Sequence, residues 1–242
     1  MKRTVFISAG HSNVAGRDRG AVGNGFIEGV LTAELRSLIV PLLRNRGVTV
    51  VVDSDNSILS QTLNYFRNKT TPNCIVLDIH FNASIPSATG TETLIPANPS
   101  IFEQRLARDL SKACADVLGI PLRGSLNGLH GVKTELESHH GRLGWMQLTG
   151  ENVLMEVCFI TNAANMRSYE SNKYRLANEI AIILAREAGY DTRILTHTVV
   201  SGDTLWSLSR RYGVTVSQIQ QVNNLESTTI KVGQVLTIAI EQ

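Results

Sequence analysis

The sequence has little of several features that mark whole classes of protein. Its 242 residues contain three cysteines, Cys74, Cys114 and Cys158, and all three lie in apolar segments. A small, odd number in such settings excludes a disulfide framework and predicts buried free thiols. Cys158 lies inside a strand-like run, which does not favour a catalytic thiolate. The net charge is only +2, so no nucleic-acid partner is expected, because such partners usually need a concentrated basic surface.

Long apolar runs are missing as well. No segment approaches the roughly 20 apolar residues of a membrane span, so membrane insertion is not expected. The first residues, MKRTVFISAGHS, include two basic residues and only a short apolar run. A signal peptide needs a longer apolar stretch and a small-residue cleavage site. We therefore expect synthesis in the cytoplasm without export by the general secretory route.

Nucleotide and serine-hydrolase motifs are also absent. The sequence has no P-loop and no GxSxG, and residues 20–25, GAVGNG, do not match GxGxxG. A dinucleotide site at this glycine-rich segment is therefore not expected, since the glycines do not directly follow a predicted strand either.

The chain instead alternates short apolar runs with amphipathic segments. Runs typical of strands buried in a parallel sheet lie at residues 4–9, 48–52, 74–80 and 152–159. Segments with helical spacing lie at residues 28–45, 57–68, 100–118 and 165–187. This alternation predicts an α/β domain over residues 1–190, with a mainly parallel sheet and flanking helices.

Two further segments of this domain are less regular. Residues 90–95 are predicted as a short strand at an edge of the sheet, because Pro96 follows. Residues 122–144 have no strong periodicity and are predicted as a long loop or flap, which is often functional.

The character of the sequence changes near residue 196. Residues 191–195 are predicted as a linker, and residues 196–242 as a small module of strand, helix, helix and strand. Such a βααβ unit is short for an independent core but large enough for a compact module.

Four residues of the first domain could form a metal-dependent site. His11 and His80 each follow a predicted strand, Glu28 begins the helix after the glycine-rich loop, and Glu156 interrupts an apolar strand. The carboxyl ends of parallel strands meet at one edge, where α/β proteins place their ligands. Two imidazoles and a carboxylate are a ligand set of catalytic zinc, and a second carboxylate can move the proton of a water molecule.

Each of these residues also has a structural explanation when it is taken alone. A histidine at a strand end often has only a structural role, and Glu28 suits the positive end of a helix dipole. A buried acid such as Glu156 is harder to explain without a partner. The spacing is not a compact motif such as HExxH, so the residues alone leave both explanations open.

Several segments, in order, resemble the zinc-dependent N-acetylmuramoyl-L-alanine amidases of the bacterial autolysin and phage endolysin type. They are SAGHS, Glu28 before its helix, DIHFNAS, GTET and VLMEVCFITN. The resemblance implies that His11, Glu28 and His80 bind Zn²⁺ and that Glu156 is the catalytic carboxylate. The implied reaction is hydrolysis of the amide between N-acetylmuramic acid and the L-alanine of the peptidoglycan stem peptide.

Two segments depart from the family pattern. The family usually has Asp-Pro-Gly-His-Gly-Gly where this chain has SAGHSN, which leaves the metal ligands in place. Residues 122–150 match poorly, which leaves the substrate contacts open. His130, His139 and His140 in this segment are predicted as solvated loop residues, and contact with substrate or with a second metal is the alternative.

The C-terminal segment resembles a LysM domain over its whole length. It reads HTVVSGDTLWSLSRRYGVTVSQIQQVNNL and ends in IKVGQVLTI. LysM domains bind the N-acetylglucosamine-containing glycans of peptidoglycan and chitin, and the resemblance implies a groove between two loops of the module. The implied glycan contacts are Gly202, Asp203, Thr204, Leu205, Asn224 and Leu225. Trp206 is predicted to pack in the core of the module.

Together these features predict a peptidoglycan hydrolase that its module tethers to cell-wall glycan. A phage endolysin or another lytic enzyme, which reaches the wall by host lysis, is the expected setting. Two alternatives stay open. One is a wall-binding protein with an inactive α/β domain, and the other is a zinc carboxypeptidase that cuts within the stem peptide.

Overall fold

The structure, a computed structural model, describes residues 1–139, 141–190 and 194–239. His140 and most of the expected linker lie outside the described residues. The strands are β1 (Thr4–Ala9), β2 (Val22–Gly23), β3 (Phe26–Ile27), β4 (Val50–Val52), β5 (Cys74–Asn82), β6 (Glu92–Ile95), β7 (Ser125–Leu126), β8 (Leu129–His130), β9 (Val132–Thr134), β10 (Glu151–Phe159), β11 (Ile194–Thr198) and β12 (Val235–Ala239). The helices are α1 (Glu28–Asn45), α2 (Leu59–Arg67), α3 (Ile101–Leu118), α4 (Ala163–Glu187), α5 (Leu205–Tyr212) and α6 (Val216–Val222).

The predicted α/β class is confirmed. Within the described residues, six strands form the central sheet in the order β4-β1-β5-β10-β6-β9. The strands β4, β1, β5 and β10 are parallel, and only β6 runs antiparallel to its neighbour β10. The C-terminal unit has the predicted βααβ order, with β11 and β12 paired antiparallel. None of the helices in the described ranges is both long and apolar enough to cross a membrane.

Side-chain caps fix where two of the long helices begin. The hydroxyl of Ser100 accepts a hydrogen bond from the N–H of Glu103 at 3.0 Å, and the Glu103 carboxylate accepts the N–H of Ser100 at 2.8 Å. This capping box confirms the predicted start of α3. Asn162 caps α4 by accepting the N–H groups of Ala164 and Asn165. The helix therefore begins two residues earlier than its apolar periodicity predicts.

The prediction that the strand before Pro96 lies at the sheet edge is wrong. β6 lies inside the sheet, because β9 pairs with it in parallel and forms the edge. β9 comes from the segment predicted as a loop or flap. The described part of residues 122–144 contains β7, β8, β9 and a 3₁₀ turn (Glu135–Glu137). Strands of two or three residues are too short to show a period in the sequence.

Alternate residues of β5 face two different layers of the protein. Leu77, Ile79 and Phe81 belong to the large apolar cluster that includes residues of α1 and α4. Val76 belongs to the cluster on the other face, with Trp145. Asp78 and His80 continue that second face along the strand. The face thus changes from apolar to polar toward the carboxyl end of β5.

The C-terminal unit packs against the α/β domain through a buried amide. The side-chain N–H₂ of Asn178 in α4 donates to the backbone oxygen of Tyr212 at 2.8 Å, and its oxygen accepts from Arg46 at 3.2 Å. β11 begins at Ile194, so the last two residues of the expected linker already pair with β12. The first strand of the module therefore begins before the sequence changes character.

The three cysteines are buried and free, as predicted. Burial raises the pKa of the Cys158 thiol well above its usual range, and the nearby Cys114 and Glu156 raise it further. The thiolate that a nucleophilic cysteine needs is therefore disfavoured at this position.

Candidate functional site

The structure brings His11, Glu28 and His80 together at one edge of the sheet. One ligand atom from each residue lies within 4.8 Å of the other two. The Nδ1 atom of His80 is 3.1 Å from Oε1 of Glu28, and Nε2 of His11 is 3.4 Å from Oε2 of Glu28. The two imidazole rings lie edge to face, with centroids 5.0 Å apart. Each ring therefore directs one nitrogen at the carboxylate that stands between them.

Backbone hydrogen bonds hold the Glu28 carboxylate in this place. Its Oε2 accepts the N–H of Ala21 at 2.8 Å, and its Oε1 accepts the N–H of Phe81 at 3.0 Å. Burial raises the pKa of Glu28, but the two histidines and the Ala21 N–H outweigh burial, so the pKa is lowered. The carboxylate is therefore an anion at neutral pH.

The same cluster favours a positive charge at its centre. Burial lowers the pKa of His80, but the carboxylates of Asp78 and Glu28 outweigh burial and raise it well above its ordinary value. A proton or a metal cation between the imidazole and the carboxylate relieves the clustered negative charge. Two imidazole nitrogens and a carboxylate oxygen are donors that zinc accepts, so the residues fit a zinc ion.

Two glycines let the backbone approach this cluster closely. A Cβ atom on Gly20 would lie 2.4 Å from Oε2 of Glu28 and 2.6 Å from Cδ2 of His11. A Cβ atom on Gly10 would lie 2.4 Å from the His80 ring. The glycines at the site are therefore needed for space, which the sequence alone does not reveal.

This packing makes a prediction about Gly20. We expect Gly20→Ala to abolish stoichiometric zinc binding, because the new methyl group would displace Glu28 and His11. Gly16→Ala is a matched control, since Gly16 has φ +84° against +71° for Gly20 but has no atom within 4 Å of its Cβ position. In both variants the alanine must adopt a left-handed backbone conformation, which is strained. A loss of zinc in Gly20→Ala alone is therefore caused by the methyl group and not by backbone strain. Equal zinc content in the two variants would contradict the prediction.

Glu156 lies next to His80 on the same face of the sheet. It pairs in register with His80 of β5 on one side and with Glu92 of β6 on the other. Its Oε2 is buried and, within the described residues, has no hydrogen-bond partner. Burial raises the pKa of Glu156 to about 7, which His80 opposes and Glu28 and Glu92 reinforce. A carboxylate with such a pKa can exchange protons near neutral pH.

All four predicted residues line one cavity of about 830 Å³. Apolar side chains, including Leu94, Trp145 and Leu154, form part of its wall, and Arg123 and Lys133 add positive charge. A cavity of this size, with a few converging polar groups, is typical of a small-molecule or peptide site.

Sequence reasoning missed three acidic residues of this site. Asp78 places Oδ2 3.1 Å from Nε2 of His80, and Asp18 places Oδ1 3.3 Å from Nδ1 of His11. Glu92 is buried and accepts the side-chain N–H₂ of Asn82 at 3.1 Å. The signal for Asp78 is its position two residues before His80, which places both on one face of β5.

Neither His130 nor His139 belongs to the metal-ligand cluster. His130 and His139 are exposed, and His139 lines the cavity. Contact of His139 with a substrate stays a prediction. His140 lies outside the part of the chain that the structure describes.

The implied glycan contacts of the C-terminal unit differ in their exposure. Gly202, Thr204 and Asn224 are exposed, and Leu225 is half-buried. Leu205 is only 1% exposed, so its side chain belongs to the core and only its backbone can face a glycan. Asp203 accepts hydrogen bonds from His197 at 2.8 Å and from the N–H of Val200 at 2.9 Å, so it shapes the loop.

The prediction that Trp206 packs in the core is wrong. Its side chain is 69% exposed. The core position is taken by its neighbour Leu205, and the first turn of α5 directs the next side chain outward.

Two protein-family models match this chain. The model for N-acetylmuramoyl-L-alanine amidase matches residues 5–186, and the model for the LysM domain matches residues 197–239. The chain is 29% identical to the uncharacterised protein YqiI of Bacillus subtilis (strain 168) over 191 residues, which cover 78% of this chain and 85% of that protein. A protein named as an N-acetylmuramidase in Lactococcus lactis subsp. cremoris (strain MG1363) is 60% identical over only 43 residues, 18% of this chain and 10% of that protein.

Solved structures share the architecture of more than three quarters of this chain. A protein of Neisseria meningitidis assigned as an N-acetylmuramoyl-L-alanine amidase has a TM-score of 0.64 and 28% identity, and the match covers 78% of this chain and 97% of that one. An N-acetylmuramyl-L-alanine amidase of Mycobacterium smegmatis has a TM-score of 0.61 and 18% identity, with 77% and 97% covered, and indicates the fold alone.

Proposed function

Since the chain belongs to the N-acetylmuramoyl-L-alanine amidase family, we propose that it is a zinc-dependent peptidoglycan hydrolase. The bond cut is the amide between N-acetylmuramic acid and the L-alanine of the stem peptide. The observation that carries the zinc proposal is the convergence of His11, Glu28 and His80, with ligand atoms within 4.8 Å of one another. The LysM domain at residues 197–239 supports binding to cell-wall glycan.

Different residues of the site would bind the metal, transfer the proton and exclude water during amide hydrolysis. His11, Glu28 and His80 would hold the zinc ion, which when bound lowers the pKa of a water molecule and polarises a carbonyl group. Glu156, beside His80 on the cavity wall, takes the proton from the attacking water and donates it to the departing nitrogen of L-alanine. The apolar wall at Leu94 and Leu154 excludes water and strengthens these electrostatic interactions.

The proposed glycan contacts lie in two loops of the C-terminal unit, and they follow from its resemblance to LysM domains. We propose that the exposed residues Gly202, Thr204 and Asn224, together with the Asp203 loop and the chain at Leu205 and Leu225, contact the sugar. Attachment to the wall raises the local concentration of scissile bonds without any change in the catalytic site. Delivery to the wall by host lysis, as for a phage endolysin, stays a prediction.

Digestion of purified peptidoglycan tests the proposed reaction. We expect the chain to release stem peptides with a free L-alanine amino terminus, and a zinc chelator should abolish this release. Mass spectrometry of the products distinguishes the enzyme from a zinc carboxypeptidase, which shortens the stem peptide and leaves it on the glycan. A chain that binds the wall but releases nothing would instead support a wall-binding protein with an inactive α/β domain.

Removal of residues 194–242 tests the role of the module. We expect retention on insoluble peptidoglycan to fall by at least about 100-fold, because the tether is lost. Hydrolysis of soluble muropeptides should continue, since the predicted site residues lie in the first 190 residues. Circular dichroism controls for folding, because the deletion exposes the face of α4 at Asn178. Unchanged retention would contradict the tethering role.

A further inference from the structure

Both histidines of the cluster have a carboxylate at the nitrogen that faces away from Glu28. His80 directs Nε2 at Asp78, 3.1 Å away, and His11 directs Nδ1 at Asp18, 3.3 Å away. A neutral imidazole carries one N–H, and the nitrogen that binds a metal must be the other one. When the inner nitrogen binds a metal, the N–H is on the outer nitrogen, where a carboxylate can accept it and fix the direction of the ring.

The two carboxylates differ greatly in their surroundings. The side chain of Asp78 is 3% exposed and that of Asp18 is 76% exposed. Asp78 lies in β5, paired in register with Ser8 of β1 and Leu154 of β10, so the sheet fixes its position. Asp18 lies in the loop after β1, where water competes for its hydrogen bonds. Asp78 is thus the stronger of the two orienting groups.

A purely structural role does not explain Asp78. Its Oδ1 is buried and has no hydrogen-bond partner within the described ranges. The buried Arg36 forms ion pairs with Asp53 and Asp55, and its charge also attracts Asp78, but no described Lys or Arg lies within ion-pair distance of Asp78. A buried carboxylate whose side chain has a single hydrogen-bond partner is costly for folding. What it does contact is the ring of His80.

We propose that Asp78 is a positioning residue for the metal site. It accepts the Nε2–H of His80 and holds the ring so that Nδ1 faces Glu28. Second-shell carboxylates of this kind raise metal affinity by orienting the ligand and increasing its basicity. The inference rests on the proposed zinc dependence. It adds a residue that tunes zinc affinity through its contact with the outer nitrogen of His80.

A series of full-length variants tests this role by zinc affinity. Competition with a chelator of known affinity should show about 10-fold weaker zinc binding for Asp78→Asn and about 100-fold weaker binding for Asp78→Leu. Asparagine keeps a neutral acceptor, whereas leucine has none. Asp18→Asn should cost less than about threefold, because that carboxylate is solvated.

Two further measurements separate positioning from a structural role. Thermal unfolding of the zinc-free chain measures what each Asp78 variant loses in stability, and zinc affinity is compared at a temperature at which every variant is fully folded. The Nε2 proton of His80 should be visible by ¹H–¹⁵N NMR in the zinc-loaded wild type and lost from the spectrum of Asp78→Leu. Equal zinc affinity in wild type and variants, or weaker binding only in proportion to lost stability, would overturn the inference and leave the proposed function intact. Failure of the wild type to bind zinc would overturn both.

Discussion

Glu156→Gln is expected to lose nearly all hydrolytic activity while it keeps its zinc. Proton transfer by a positioned carboxylate contributes about 10²- to 10⁴-fold to such reactions, so release of stem peptides should fall by at least about 100-fold. The substitution keeps the size of the side chain and leaves His11, Glu28 and His80 in place. Zinc analysis together with a peptidoglycan digest checks both halves of the prediction.

The same variant should be more stable than the wild type at alkaline pH when zinc is removed. Burial raises the pKa of Glu156 from 4.5 to about 7, so the folded chain holds a proton that the unfolded chain has already lost. Stability therefore falls as the pH rises from about 4.5 to 7, by at most about 3 kcal/mol. Glutamine has no charge to bury, so its advantage should be absent at pH 4 and complete at pH 8.

Exposed Glu226 supplies a control for this experiment. Glu226→Gln removes the same charge far from the cavity and should change neither activity nor the pH dependence of unfolding. Near-native turnover of Glu156→Gln would show that Glu156 is not the proton carrier. An unchanged unfolding temperature at pH 8 would show that its carboxylate is not held in an unfavourable environment.

Glu28→Gln is expected to abolish both zinc binding and hydrolysis. The carboxylate accepts two backbone N–H groups, from Ala21 at 2.8 Å and Phe81 at 3.0 Å. A glutamine amide would place its own N–H₂ against one of these donors and would also remove the negative charge between the two histidines. We expect zinc affinity to fall by more than about 100-fold, with hydrolysis at the level of the chelated wild type.

Glu34→Gln is the matched control on the same helix. Glu34 forms an ion pair with Lys173 at 2.6 Å, away from the cavity, and its side chain is 39% exposed. This variant should bind zinc and digest peptidoglycan like the wild type. If Glu28→Gln retained one zinc per chain, Glu28 would not be a ligand.

The sequence predicted the family and the architecture because both depend on local patterns. The bounds of α1 and β1 follow from apolar spacing that burial in the core requires. The family that the motifs around His11 and His80 resemble is confirmed by the amidase match over residues 5–186. Zinc binding and the roles of the site residues stay predictions.

Features that depend on contacts between residues far apart in the sequence were not predictable. The inner position of β6 is set by β9, a strand of three residues from a segment without periodicity. In the sequence, Asp78 is a single polar residue in an apolar run. Only the structure shows that its carboxylate meets the ring of His80. The outward direction of Trp206 likewise depends on which neighbour fills the core.

Zinc titration of the metal-free chain, followed by stem-peptide release from purified peptidoglycan, tests the central claim most directly. We expect no release without metal, and full activity once one equivalent of zinc has been bound by His11, Glu28 and His80. Undiminished release of stem peptides by a chain shown to contain no metal would contradict it.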